Sequence, residues 1–320
     1  MVSLSADLVR LRGQAVDAHK SGKKDHARLL YGQYLGQVPG DAAMWSNLGI
    51  LLRTEGKHAM ALVLQERAYA LDPMAPGVRN NLANIYSDLG RYQDSLNLRY
   101  ALNAESPDDS QQKAMIGRCL RGMGRYVEAA DWLRVAISQH PAEAELKVQL
   151  GFALLGAGQY AEAFDHYRAR WQTDELVPRK ISKPEWNGTD DVAGKTVLVL
   201  TEQGFGDSVL FARFLPMLKA RGAKVVFGAE KPILRLFQGL DGADLVSNAI
   251  GDLNYDYWVN IMDLPLLGLT GFDDIPPPSR LTIPPDSVER AKAITAPHRD
   301  KFKVGVVWTG SATYKVSVVE

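Results

Sequence analysis

Residues 42–75 read AAMWSNLGILLRTEGKHAMALVLQERAYALDPMA. Apolar residues recur there at helical spacing in two runs, divided at Gly56 and stopped at Pro73. Glycine ends a helix cheaply because it accepts a left-handed backbone, and proline cannot continue one. The stretch therefore predicts a helical hairpin. The same signals recur every 34 residues. Gly22, Gly56, Gly90, Gly124 and Gly158 form one column, and Pro39, Pro73, Pro107 and Pro141 a second. Ala15, Gly49, Ala83, Gly117 and Gly151 form a third. Ala27, Ala61, Ser95, Ala129 and Ala163 form a fourth, and Leu48, Leu82, Ile116 and Leu150 a fifth. A hairpin cannot bury its apolar face alone, so such units stack and the stacking makes the core. The Gly49 and Ala61 columns are small because two helices cross closely there.

The motif Trp45-x-x-Leu48-Gly49 with Pro73 resembles the tetratricopeptide repeat. Ala27 with Tyr31, and Ala163 with Tyr167, repeat its Ala-x-x-x-aromatic step, while Gln65 and Arg99 stand where an aromatic is usual. Five units are expected, at about 8–41, 42–75, 76–109, 110–143 and 144–177, making an N-terminal helical solenoid over residues 1–177. The resemblance implies a concave face built from the first helix of each unit. Ile50, Arg53, Asn84, Ser87, Arg118, Arg121, Phe152 and Leu155 would face it. Asn80 lies one turn before Asn84, and an asparagine pair offers a peptide backbone both donors and acceptors. Asn80, Asn84, Arg118 and Arg121 are thus the candidate partner groove. The alternative is a solvated polar face.

Lys and Arg together number 37, as do Asp and Glu, so the formal net charge is zero. That balance argues against a general nucleic-acid binder or a polybasic membrane surface. The single cysteine, Cys119, excludes an internal disulfide and reads as a small core residue. His19, His26, His58, His140, His166 and His298 show no metal-ligand spacing, so no metal is expected. The opening MVSLSADLVRLRG lacks an apolar signal region, and no apolar run reaches membrane-spanning length. The expectation is a soluble, cytoplasmic protein.

Between 173 and 194 the helical pattern fails. Val177-Pro178, Lys183-Pro184, Gly188 and Asp190-Asp191 read as extended, turn-rich linker, placed at 178–194 and bracketed by Trp171 and Trp186. Beyond it, Lys195–Leu200 is a β-branched run followed by TEQGFGDSVLFARFL (201–215). A strand there runs into a tight loop, Gly204-Phe205-Gly206, with Gly204 and Gly206 free to take positive φ, and then into a helix opening near Asp207 and Ser208. Strands follow at 224–228, 243–247 and 255–261, with a helix at 233–240. Alternating strands and helices imply a parallel, Rossmann-like sheet over 195–301. After a proline-rich crossing and a short helix at about 286–294, Lys303–Trp308 begins a new strand ending in Thr309-Gly310-Ser311. Thr309, Ser311 and Lys315 are candidate phosphate contacts. Only 17 residues follow Lys303, too few for a domain, so 302–320 reads as the start of a truncated second lobe.

The run PEWNG, then GKTVLVLTEQGFGDSVLFARFLPMLKARGAKVVF, then KVGVVWTGS, resembles the heptosyltransferase-like enzymes (glycosyltransferase family 9), whose two Rossmann-like lobes form the GT-B arrangement. The resemblance implies a nucleotide-sugar donor, a glycan or protein acceptor and no metal. It implies that Asp207 is the base that takes the acceptor proton, with Gly204 and Gly206 leaving room for the acceptor. Glu202 reads as a strand-end residue beside that loop. The plainer reading of Asp207 is a helix cap. A nicotinamide-dependent oxidoreductase is disfavoured because Val209 stands where G-x-G-x-x-G needs its third glycine. A non-enzymatic adaptor, a repeat solenoid carrying half a transferase fold, is the alternative.

Overall fold

The computed structural model describes residues 5–174, 176–202, 204–251 and 253–305. The chain divides into two compact units, Met1–Gln149 and Leu150–Val307.

The first unit is built from helical hairpins. They are α1 (Ala6–Lys20) with α2 (Lys24–Gln37), α3 (Ala42–Thr54) with α4 (His58–Leu71), α5 (Pro76–Asp88) with α6 (Tyr92–Glu105), and α7 (Ser110–Gly122) with α8 (Tyr126–Gln139). Their register follows the sequence columns. Gly22, Gly56, Gly90 and Gly124 all take φ between 71° and 73° or at 77° in the turns between paired helices. A Cβ there would meet nothing, so the backbone conformation alone demands glycine. Ala27, Ala61, Ser95 and Ala129 are fully buried on the second helices. At Gly49 and Gly117 a Cβ would come within 2.6 Å of Gln65 and 2.7 Å of Leu133, which accounts for the small residue at each crossing. Asp41 and Asp109 cap α3 and α7 by accepting backbone N–H groups of the first turn.

The boundary between the units falls inside α9 (Ala144–Gly156), the first helix of the fifth hairpin. In the second unit α9 is followed by α10 (Tyr160–Tyr167) and a 3-10 turn, Arg168–Gln172. Gly158 repeats the turn glycine at φ 75°. At Gly151 the close neighbours are backbone, Ala163 O at 3.0 Å and Tyr167 N at 3.1 Å from a built Cβ.

The rest of this unit holds a four-stranded parallel sheet in the order β3-β2-β1-β4. The strands are β1 (Thr196–Leu200), β2 (Lys224–Gly228), β3 (Leu245–Ser247) and β4 (Tyr257–Asn260). Val197 to Leu200 are all buried, as a central strand covered on both faces requires. Leu198, Leu200, Val226 and Trp258 make one cluster, packed by Ile181, Ile250, Leu253 and Tyr255 from loops rather than from a helix. Pro184–Trp186, inside the stretch read as linker, lies parallel to β4: Trp186 N donates to Trp258 O (2.8 Å) and Trp258 N to Pro184 O (3.1 Å). Trp186 is fully buried and its indole donates to Asp190 O at 2.9 Å, which closes a turn within the segment.

Several local expectations change. The helix after β1 starts at Phe205, two residues earlier than read: α11 is Phe205–Phe211, followed by a 3-10 turn and α12 (Leu215–Ala220). Pro216 explains the break, since its ring clashes with the carbonyl four residues back and it has no N–H to give. The helix expected over 233–240 is only a 3-10 turn, Leu234–Phe237. After β4 the chain forms a 3-10 segment, Ile261–Leu267, and after the proline-rich crossing α13 (Pro285–Thr295), which buries none of its residues. Lys303–Gly305 take no strand conformation. The remainder of that expected strand, with Thr309, Ser311 and Lys315, lies outside the described residues. Among the described residues no helix is long and apolar enough to cross a membrane.

Candidate functional site

In a parallel sheet the ligand-binding crevice opens beyond the strands' carboxyl ends, where successive connections run to opposite sides. Here that point lies between β1 and β4. Thr201 and Glu202 leave β1, and Ile261 to Asp263 leave β4. The space between them holds a side chain from the fifth hairpin. Arg170 Nε donates to Glu202 Oε2 (3.0 Å), its Nη2 to Glu202 Oε1 (2.8 Å) and its Nη1 to Asp263 Oδ1 (2.8 Å). The side chains are 4%, 1% and 5% exposed, so this is a dry ion triad. Met262 N also donates to Glu202 Oε1 (3.2 Å), which stitches the ends of β1 and β4 together. Burial pushes the Glu202 carboxyl above the usual carboxylate range, with Asp263 nearby adding to it and Arg170 opposing it. The two carboxylates hold the Arg170 guanidinium firmly charged against its own burial. Beside it, Arg179 Nε donates to Asn260 Oδ1 (2.9 Å) and its Nη2 to the carbonyl of Thr201. Burial lowers the pKa of Arg179.

The Asp207 carboxylate sits at the start of α11, half-buried. Its Oδ2 accepts from Gly204 N at 2.9 Å, so the side chain caps its own helix. Among the described residues its Oδ1 has no hydrogen-bond partner. Neither glycine of the turn takes positive φ: Gly204 is extended at φ −121°, and Gly206 lies within the helix. A Cβ on Gly204 would meet Asp207 Oδ2 at 3.2 Å, whereas Gly206 faces open space. Gly204 is thus small for its neighbour's carboxylate.

A second polar cluster lies in the first unit. Arg99 on α6 is 1% exposed. Its Nη2 donates to Asn84 Oδ1 (2.6 Å), and its Nη1 to Gln112 Oε1 (3.1 Å) and Asn80 Oδ1 (3.5 Å). Gln112 Nε2 donates to Asn80 Oδ1 (3.1 Å). Both asparagines thus turn their oxygens to the same arginine. Arg118 is exposed, and Arg121 Nη2 donates to Gln149 Oε1 (3.2 Å). Burial lowers the pKa of Arg99, and the charges of Arg118 and Arg53 act in the same direction. Cys119 is buried among Ser87 and Ser95, the core role expected of it.

No motif marks Arg170, and Arg99 is marked only as a departure from the repeat pattern. Both carried a signal. Arg170 falls in the 34-residue column of Tyr34, Ala68, Leu102 and Ala136, all buried. Arg99 falls in the column of Tyr31, Gln65, Leu133 and Tyr167, likewise buried. A charge in a buried column needs polar partners brought to it.

The tetratricopeptide repeat family model matches residues 12–76 and 80–144. The first half of the chain thus carries tetratricopeptide repeats. Among solved structures, the chain is similar to "MamA 41-end from Desulfovibrio magneticus RS-1" at 16% identity and TM-score 0.49, covering 54% of this chain and 100% of that one. It is also similar to MamA MSR-1 at 22% identity and TM-score 0.46, covering 53% and 98%. No curated protein matches the chain.

Proposed function

We propose that this chain is a protein-binding repeat scaffold carrying an α/β module laid out like the first lobe of a heptosyltransferase-like glycosyltransferase. The strand order, with a glycine turn leading from β1 into a helix, supports that ancestry. One observation carries the non-catalytic reading. The position between β1 and β4, where such a sheet would hold a ligand, is filled by the Arg170 guanidinium paired with Glu202 and Asp263. Opening it for a ligand would leave two buried carboxylates without their cation, which is costly. Tetratricopeptide repeats, whose stacked helices present extended binding surfaces, supply the partner-binding part.

The second reading is sugar transfer, favoured by the Oδ1 of Asp207, which has no hydrogen-bond partner among the described residues. That oxygen would take the proton of an acceptor hydroxyl while the hydroxyl oxygen bonds to the anomeric carbon. The bond from that carbon to the nucleoside diphosphate breaks with its electron pair leaving on the diphosphate. Gly206 would leave space for the acceptor. Titration of the full chain with nucleoside diphosphates and nucleotide sugars by calorimetry separates the two readings. The scaffold reading expects no saturable binding and no sugar transfer. Saturable donor binding, with transfer that disappears in Asp207→Asn, would replace it by the enzymatic one.

A further inference from the structure

Asn187, Gly188, Thr189 and Asp190 form a turn just after the segment paired with β4. Gly188 takes φ 93°, where a side chain is strained, so the turn calls for glycine directly after Asn187. It is the one Asn-Gly step in the sequence. No Cβ shields the backbone nitrogen that follows Asn187, and Gly188 N donates to no acceptor among the described residues. Asn187 itself is exposed. Its side-chain oxygen is held from three directions: Oδ1 accepts from Thr189 N (2.9 Å), Asp190 N (2.9 Å) and Thr189 Oγ1 (3.1 Å). Its Nδ2 donates to Asp190 Oδ1 (2.9 Å). Turns of this kind use an Asn oxygen to hold the backbone. Donors fixed around an amide oxygen are also placed to take up negative charge there, and that charge develops when a nucleophile adds to Cγ. Gly188 N is a nucleophile already tethered to that carbon, so no encounter entropy opposes the addition. The backbone oxygen of the same residue is held too, by Arg168 Nη1 at 3.3 Å.

We propose that Asn187 is a self-modification site, at which the folded turn promotes loss of the side-chain amide and Arg168 receives the carboxylate that is freed. Gly188 N loses its proton to hydroxide and bonds to Cγ, and an electron pair of the carbonyl moves onto Oδ1. The pair returns, the bond from Cγ to Nδ2 breaks, and the nitrogen takes a proton from water and leaves as ammonia. The product is a cyclic imide. Water opens it at either carbonyl carbon, and Gly188 N recovers its proton from that water. Opening at Cγ gives aspartate. Opening at the backbone carbonyl gives isoaspartate, whose chain runs through Cγ and whose free carboxylate includes the oxygen that Arg168 now holds. One water is consumed, one ammonia is released and nothing is oxidised or reduced. A charged donor stabilises a carboxylate more than a carbonyl, so Arg168 favours the isoaspartate product. Aspartate sets a second carboxylate against Asp190, and isoaspartate lengthens the backbone by one carbon between Trp186 and Asp190. Both loosen the turn whose Asp190 carbonyl holds the Trp186 indole. This chemistry is independent of whether the chain is a scaffold or a transferase.

The test incubates the full chain in mildly alkaline buffer and follows each asparagine by peptide mass mapping, with isoaspartate counted by enzymatic methylation of its free carboxylate. Asn187 is expected to convert faster than Asn248, which is also exposed but precedes Ala249. It should convert faster in the native chain than in the same chain dissolved in guanidinium chloride, where the donors around Oδ1 are gone. Thr189→Val deletes one of those donors at an exposed position and should slow the native chain about two- to tenfold. The same substitution should leave the denatured chain unchanged, and Thr189→Ser, which keeps the hydroxyl, should react like the unaltered protein. Arg168→Gln should lower the share of isoaspartate among the products. Conversion at Asn187 no faster than at Asn248, or no faster in the native chain than in the denatured one, overturns the proposal. So does a native rate untouched by Thr189→Val, since the turn would then only permit the reaction. An isoaspartate share unchanged by Arg168→Gln overturns the part given to Arg168.

Discussion

Replacing Arg170 by Met removes the only cation from a buried triad and leaves Glu202 and Asp263 facing each other. Breaking a buried pair in this way costs about 3–5 kcal/mol, because the remaining charge is stranded away from water. The geometry puts this substitution at the upper part of that range: two carboxylates lose their partner, the fork to Glu202 is bidentate, and Asp263 Oδ2 already lacks a hydrogen bond. The loss should depend on pH. The Glu202 carboxyl is already raised by burial, and without Arg170 it rises further. A carboxyl whose folded pKa stands above its unfolded value favours folding only while protonated. Its penalty is therefore small below the ordinary value of about 4.3 and grows as pH increases through the raised folded value. Arg170→Met should be least damaging near the acid end of the stability range and most damaging at neutral pH. Hydrogen exchange read by mass spectrometry reports this locally. Amides of β1 and β4 should exchange roughly two to nearly four powers of ten faster at neutral pH, while those of α1 and α2 keep their rates. Adding Glu202→Gln and Asp263→Asn removes both stranded charges and should recover part of the loss. A cost below about 1 kcal/mol, unchanged between acid and neutral pH, would show that the triad is hydrated and would refute the reasoning.

Gly124→Ala places a side chain at φ 73° in open space, so it should cost about 1–2 kcal/mol through backbone strain alone, measurable by denaturant titration. Gly151→Ala meets backbone atoms of Ala163 and Tyr167 rather than a movable side chain, and should cost about 1–3 kcal/mol, with faster exchange in α10. A neutral result there would mean the helices can part without loss. Asp207→Ala removes the acceptor for Gly204 N–H and should destabilise α11 by about 1 kcal/mol, seen as faster exchange at its first turn, whether or not the chain transfers sugar.

The repeat was legible because each column answers to one local cause. A left-handed turn needs glycine, a close crossing needs a small residue and a helix end tolerates proline, so the period could be read from residue types. The parallel strands were legible for a similar reason, since Val197 to Leu200 form an apolar run too short for a helix and rich in β-branched residues. Less of the candidate site could be read. Asp207 stands out by its place after the glycine turn, but whether its carboxylate faces a ligand or its own helix depends on where Gly204 N–H points, and no residue spacing encodes that. Asn80 and Asn84 stand out by their one-turn spacing, yet their amides turn according to Arg99, which stands on another helix.

By itself, the sequence determined the repeat, its register and the order in which helices give way to strands, because those follow from backbone preferences and apolar periodicity within one stretch of chain. The tertiary structure alone decided which polar groups meet: Arg170 reaches Asp263 across 93 residues, and Arg99 chooses the orientation of two asparagines. Such pairings are fixed by packing of distant segments, and a buried charge takes whichever partner that packing brings within hydrogen-bonding distance.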